Sequence, residues 1–185
     1  MGDLTSKRCS EITEIIEDLY EDIGYSSVPV DVFEVCRLLK IRIKTYSALQ
    51  RTKRFNANKL SEDGYNYYDK KRKEYVVYYN DYLSMNRIRF TIAHEIGHIM
   101  LEHDEHNILN ETEANFFAKT MIAPLCVIGF RNLQNEYDVS SEFQISQECA
   151  GYVYSQYQNA MQFPSIRYKI FNGRLAQIFS QYKEI

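Results

Sequence analysis

Ile12, Ile15, Ile16 and Leu19 recur three and four residues apart with charged residues between them, which predicts an amphipathic helix over 10–20 that stops at Gly24. Beyond Pro29, Asp31-Val-Phe-Glu34 has capping-box spacing, and Phe33, Val35, Cys36, Leu38 and Leu39 supply the apolar face of a second helix. The alternation Ile41-Arg-Ile43-Lys44 predicts a strand directly after it. Residues 47–63 lose any apolar period and read as a polar loop carrying Arg51, Lys53, Arg54 and Lys59. Two β-prone runs, 65–69 and 74–80, then predict a hairpin or two neighbouring strands joined by Lys70-Lys-Arg-Lys73. Four charges in that turn keep it solvated and discourage edge-to-edge pairing. The tyrosines of both runs read as strand packing.

Ser84 is placed to cap the most informative helix, over 85–102, which is apolar almost all round in its later turns and is therefore predicted to be buried. A second helix follows over 110–122, and Pro124 closes it or opens the next one. The rest reads as helical: around 129–134, after Ser146, and from 167 onward. The expected class is α+β, a core in which a small β-sheet packs on the long central helix, with a helical C-terminal part. One domain is expected, its core over about 10–125 and its helical subdomain over about 126–185.

The 185 residues are 45% hydrophobic and 25% charged, which excludes wholesale disorder. The longest uncharged apolar stretch, 120–130, falls short of the roughly 20 residues that span a bilayer. The first twenty residues lack the apolar segment of a secretory signal. Met1-Gly2 with Ser6 fits a myristoylation pattern, a match too short to carry weight. A net charge of −3 supplies no field that would recruit nucleic acid or an anionic membrane. Cys9, Cys36, Cys126 and Cys149 are scattered, with no Cys-x-x-Cys pair, and read as reduced thiols in the cytoplasm.

All four histidines of the chain, His94, His98, His103 and His106, fall within thirteen residues. Within the buried helix His94-Glu95-Ile96-Gly97-His98 forms a His-Glu-x-x-His pattern, the spacing of zinc peptidases. Residues i and i+4 lie about 40° apart around a helix, so both imidazoles point the same way and can share one tetrahedral ion. Glu95, about 100° round from His94, is too far to join them with good geometry and is placed to act as general base on a water there. Two buried imidazoles without partners would otherwise be costly.

Such a site needs a third protein ligand. Glu111 and Glu113 lie about 200° apart on the next helix, so only one can face the ion. Glu111 sits nearer the centre of the apolar face of Ala114, Phe117, Ala118, Met121 and Ile122. Glu113 has a competing use, because Asn110-x-x-Glu113 is itself a capping-box arrangement. Glu111 is therefore the expected ligand, with Glu113 as the alternative; His103 and His106 remain further candidates, although a solvated loop is the expected setting for both. Asn115, one turn beyond Glu111, is placed to hold a ligating imidazole by its second ring nitrogen. Gly97, costly inside a helix, either admits a neighbouring element close to the ion or relieves core crowding.

The run Arg89-Phe-Thr-Ile-Ala-His-Glu-Ile-Gly-His98, followed by Glu111-Thr-Glu-Ala-Asn-Phe-Phe-Ala118 and Met121-Ile-Ala-Pro124, resembles the ImmA/IrrE family of zinc metallopeptidases. The resemblance extends over roughly residues 10–125, taking in Val28-Pro-Val-Asp-Val-Phe-Glu34 and the strand over 74–80. One departure is the ending, Ile-Ala-Pro124 in place of Leu-Met-Pro. The resemblance implies a zincin-like metallopeptidase core, catalytic over about 10–125, with Zn²⁺ held by His94, His98 and Glu111 and Glu95 as base. It also implies a protein substrate, typically a helix-turn-helix repressor guarding a mobile element or a stress response. The mechanism expected is hydrolysis in which Glu95 takes a proton from metal-bound water and passes it to the leaving amine. Several tyrosines and His103 are candidate donors to the oxyanion.

Two other readings compete. A metal-containing module could sequester a regulator without cutting it, although a purely structural site has no use for Glu95. A DNA-binding role for 127–158, with a possible turn at Val139-Ser-Ser-Glu-Phe-Gln-Ile-Ser146, is opposed by charge. Between Pro124 and Ser165, Arg131 is the one basic residue against Glu136, Asp138, Glu142 and Glu148.

Overall fold

The structure, a computed structural model, describes residues 4–105 and 107–183; Met1 and Gly2 of the myristoylation pattern, and His106, lie outside the described residues. In chain order the elements are α1 (Ser6–Ile23), α2 (Val32–Leu38), β1 (Arg42–Thr45), α3 (Arg51–Leu60), β2 (Gly64–Asp69), β3 (Glu74–Tyr79), α4 (Met85–Met100) and α5 (Ile108–Ile122). Then come α6 (Leu125–Phe130), α7 (Glu136–Phe143), α8 (Gln147–Met161), α9 (Pro164–Asn172), α10 (Arg174–Ile178) and a 3₁₀ turn (Ser180–Tyr182). The class is α+β, as the sequence predicts. The chain divides into two compact units, Met1–Ile12 with Asp31–Ala118 and Thr13–Val30 with Lys119–Ile185. Helices α1 and α5 each contribute to both.

In the first unit the sheet has the order β1-β3-β2, with β1 parallel and β2 antiparallel to β3, so β2 is an edge strand. Strand alternation sorts its residues onto two faces. On one, Tyr65 stacks on Tyr78, and Val76 and Tyr78 share a small core with Tyr46 and with Ala57 of α3. The other face carries Gly64, Asn66 and Val77 and packs against α4. Approach there is close: a Cβ on Gly64 would lie 2.7 Å from Thr91 Cγ2 of α4.

Helix α3 corrects the polar loop expected over 47–63. Ala57 is the only residue of α3 that is buried, so the period a helix normally shows is missing, while its Arg, Lys, Ala and Leu residues are good helix formers. The capping box at α2 forms by half. Asp31 Oδ1 accepts from the backbone N–H of Phe33 (3.0 Å) and of Glu34 (3.2 Å), whereas the Glu34 carboxylate turns outward to Arg37 at 2.6–2.7 Å.

Helix α4 carries the core of this unit in Ile88, Ile92, Ala93 and Ile96, which are buried. A Cβ on Gly97 would meet Cβ and Cδ1 of the fully buried Phe117 at 3.1 Å. Both readings of Gly97 thus meet in one contact, since the bare Cα lets Phe117 of α5 close on the helix that bears the histidines. Gly97→Ala should gain about 1 kcal/mol of helix propensity and lose about 1–3 kcal/mol to overpacking. Phe117 Cβ sits too near its own backbone to yield, so a net loss of about 1 kcal/mol is expected, read as a lowered denaturant midpoint at unchanged slope.

In the second unit Tyr20 is fully buried, donates through its hydroxyl to the Met121 carbonyl (2.6 Å) and meets Phe179 edge-on at 5.3 Å. Arg174 pairs with Asp18 and Glu21 on α1. Pro124 opens α6, which ends at Phe130, so the helix expected around 129–134 lies further upstream. Ser146 Oγ caps α8 by accepting from Cys149 N–H at 3.2 Å. The stretch Ile108–Phe130 is long and apolar enough to cross a membrane by length and composition, yet 67% of its most apolar window is buried in the fold. None of the four cysteines forms a disulfide, and burial pushes the thiols of Cys36 and Cys126 up to about 12, where they are unreactive.

Candidate metal centre

Helix α4 presents His94 and His98 one turn apart on a single stripe, with their Nε2 atoms 3.0 Å from each other. Glu111, in the first turn of α5, brings Oε2 to 3.3 Å from His94 Nε2 and Oε1 to 3.4 Å from His98 Nε2. For metal–ligand bonds of 2.0–2.1 Å a tetrahedral ion spaces its donors by about 3.3–3.4 Å; both carboxylate–imidazole separations match that spacing, and the imidazole pair stands closer, at 3.0 Å. The surroundings of the rings fit such an ion too. His94 Nδ1 lies 3.1 Å from Asn115 Oδ1, an acceptor that favours the Nδ1–H tautomer, in which the Nε2 lone pair faces the common point. The three residues could hold a metal ion between them.

Glu113 does not join them. Helix α5 begins two residues earlier than expected, at Ile108. Its first turn is capped by Asn107, whose Oδ1 accepts from Asn110 N–H (2.9 Å) and whose carbonyl accepts from Glu111 N–H (3.0 Å). Asn110 is therefore inside the helix, which corrects the capping box proposed for Asn110 and Glu113. Freed from that use, the Glu113 carboxylate takes a two-pronged contact from Arg8 of α1, Nε at 2.8 Å and a terminal nitrogen at 2.6 Å. His103 Nε2 reaches the same carboxylate at 3.1 Å. The Arg8 guanidinium, ahead of burial and of His103, sets the balance and holds the Glu113 carboxyl below the usual glutamate range.

His103 is a second correction, because its side chain is only 6% exposed where a solvated loop was expected. The end of α4 explains it. Glu102 adopts a left-handed φ of 53°, its N–H bonds to the Ile99 carbonyl (3.2 Å), and the His103 N–H bonds to the His98 carbonyl (3.0 Å). This is a Schellman motif, which ordinarily brings an apolar pair together at the two positions that His98 and His103 occupy here. Their rings meet at 5.1 Å and their Nδ1 atoms at 2.9 Å. A histidine five residues beyond another at a helix end, next to a residue that tolerates φ > 0, is the signal that would have found it. With both ring nitrogens engaged, His103 has no donor to spare for an oxyanion. Tyr65, Tyr67 and Tyr78 stack on the sheet face away from α4.

Asn66 is the other residue that periodicity did not single out. It stands on the face of β2 that meets α4, and its Nδ2 donates to Glu95 Oε2 at 2.7 Å. Glu95, next in chain to His94, is 5% exposed.

The IrrE N-terminal-like domain family, peptidase M78, matches residues 48–154, more than half of the chain. The chain belongs to this family. It is a metallopeptidase. The match runs from the start of α3 into α8 and takes in His94, Glu95, His98, Glu111, Asn115, Asn66 and His103, whereas Arg8 lies outside it. The family suspected from the motifs is thus the one found, along with a sheet packed on α4. No curated relative matches the chain. A peptidase acts on a protein or peptide, so the substrate class follows from the family and the particular substrate does not.

Proposed function

We propose that this M78 peptidase is a zinc-dependent endopeptidase of the cytoplasm that cleaves a helix-turn-helix transcriptional repressor. In this reading His94, His98 and Glu111 are the ligands, Glu95 is the general base, and Asn115 orients His94. The observation that carries it is the convergence of two imidazole nitrogens and one carboxylate to 3.0–3.4 Å of each other, on the helix that also bears Glu95. Mixed imidazole and carboxylate donors favour zinc among divalent ions. When bound, the ion supplies Lewis-acid polarisation of the scissile carbonyl and acidifies the attacking water.

The chain's own residues do the rest. Glu95 accepts the proton released as water adds to the carbonyl carbon, and returns it to the amine nitrogen as the C–N bond breaks. Asn66 holds Glu95 Oε2 from the strand side and limits the carboxylate's swing. Asn115 keeps the proton of His94 on Nδ1. Support for a repressor as substrate comes from the motif resemblance; the scarcity of basic residues between Pro124 and Ser165 supports a protein partner over DNA.

The test uses the purified zinc-loaded chain and a purified helix-turn-helix regulator, taken from the neighbouring genes where one is encoded there. Two fragments with one new N-terminus by mass spectrometry are expected, with cleavage stopped by a chelator and restored by Zn²⁺. An intact regulator after prolonged incubation with zinc-replete protein would overturn the substrate assignment.

A further inference from the structure

His98 Nδ1, His103 Nδ1, His103 Nε2, the Glu113 carboxylate and the Arg8 guanidinium form one continuous line of contacts of 2.9, 3.1 and 2.6–2.8 Å. The side chains of His98, His103 and Glu113 are 4%, 6% and 7% exposed, so water does not substitute for any of these three. Chemistry fixes the direction of each bond. An ionised Glu113 can only accept, so His103 carries its proton on Nε2. With His103 as the neutral imidazole, its Nδ1 holds a lone pair and accepts, so the proton between the two imidazoles belongs to His98 Nδ1. His98 is left with a bare Nε2, pointing at His94 and Glu111.

We propose that His103, Glu113 and Arg8 are positioning residues that lock the tautomer and ring orientation of His98, so that helix α1, outside the family-matched segment, is part of the metal site. This rests on the reading of His98 as a ligand. The usual arrangement hangs a carboxylate directly on the second nitrogen of a ligating histidine. Here an extra imidazole is spliced between the two, and the Schellman turn at Glu102 is what places it there. Arg8 is needed because a buried carboxylate facing only a neutral imidazole would be poorly compensated. Through its two-pronged contact Arg8 also fixes which oxygen His103 meets, since its terminal nitrogen and His103 share Glu113 Oε2.

The test measures metal binding by the full chain. Metal-free protein is titrated with Zn²⁺ against a chromophoric chelator, the visible spectrum of the Co²⁺-loaded protein is recorded, and metal-free thermal midpoints are compared. His103→Phe keeps the ring and removes the bond; it should weaken Zn²⁺ binding by about 10–100-fold and move the cobalt bands. His103→Gln, whose amide oxygen can accept from His98 Nδ1, should recover part of the loss. Glu113→Gln and Arg8→Met should shift both readouts in the same direction by smaller factors. Should His103→Phe fail to fold, those two variants decide. Zn²⁺ affinity and cobalt spectrum within twofold of wild type in folded variants would overturn the relay, as would a loss in His103→Phe that His103→Gln does not recover. A wild-type chain that binds no stoichiometric Zn²⁺ would overturn the ligand reading itself, and this proposal with it.

Discussion

Glu95→Gln should leave the protein folded and fully metal-loaded while lowering its peptidase rate by about 10²–10⁴-fold, the contribution of a positioned general base. The amide has the shape of the carboxylate, and its oxygen can still receive the 2.7 Å hydrogen bond from Asn66, so neither packing nor the imidazole pair is disturbed. What is lost is a basic oxygen. The decisive comparison is kcat on a purified peptide or regulator beside metal content measured on the same sample. A variant that still inactivates the regulator as wild type does would make sequestration, not cleavage, the function. Unchanged hydrolysis of a peptide would remove Glu95 from the chemistry.

Glu111→Ala should release the ion. The substitution deletes a carboxylate that lies within 3.4 Å of both Nε2 atoms, and losing a ligand costs more than the roughly 10–100-fold that follows loss of an outer partner. Metal content after dialysis against a weak chelator should fall far below one ion per chain, and activity with it. Folding should survive, because the Glu111 side chain is 43% exposed and its removal opens no cavity. Glu113→Ala makes the opposite pattern: weakened but stoichiometric binding, together with a loss of stability, because Arg8 and His103 lose their shared acceptor. If Glu113→Ala empties the site and Glu111→Ala does not, the third ligand has been misassigned.

Much of this arrangement is legible from spacing alone. An i, i+4 pair of histidines on a helix that is apolar all round predicts its own burial and its shared direction, and α4 places His94 and His98 accordingly. The strands over 65–69 and 74–80 announce themselves through β-branched and aromatic residues, which is the pattern an open sheet writes most clearly. Three things stay hidden for physical reasons. Helix α3 is polar because only Ala57 is buried, so there is no stripe to detect. The start of α5 is set by Asn107, a cap three positions earlier than Asn110, and this alone releases Glu113 from a local role to a distant one. Arg8 and Glu113 are 105 residues apart, and no local pattern encodes a contact of that range. His103 falls between, since it is visible only to a reader who follows the chain past the helix end into a left-handed residue that is not glycine.

Among the described residues strand β2 has a ladder partner on one side only, β3, and through Asn66 it lies beside the residue proposed as base. A polypeptide that docked there as an added strand would have to be stretched out over several residues, its amides paired to the rim of the sheet. A segment that is helical in its own native state must melt before it can do so. The turnover of a folded regulator would then follow how often that segment opens, and mutations that loosen the victim should accelerate its destruction without touching the protease.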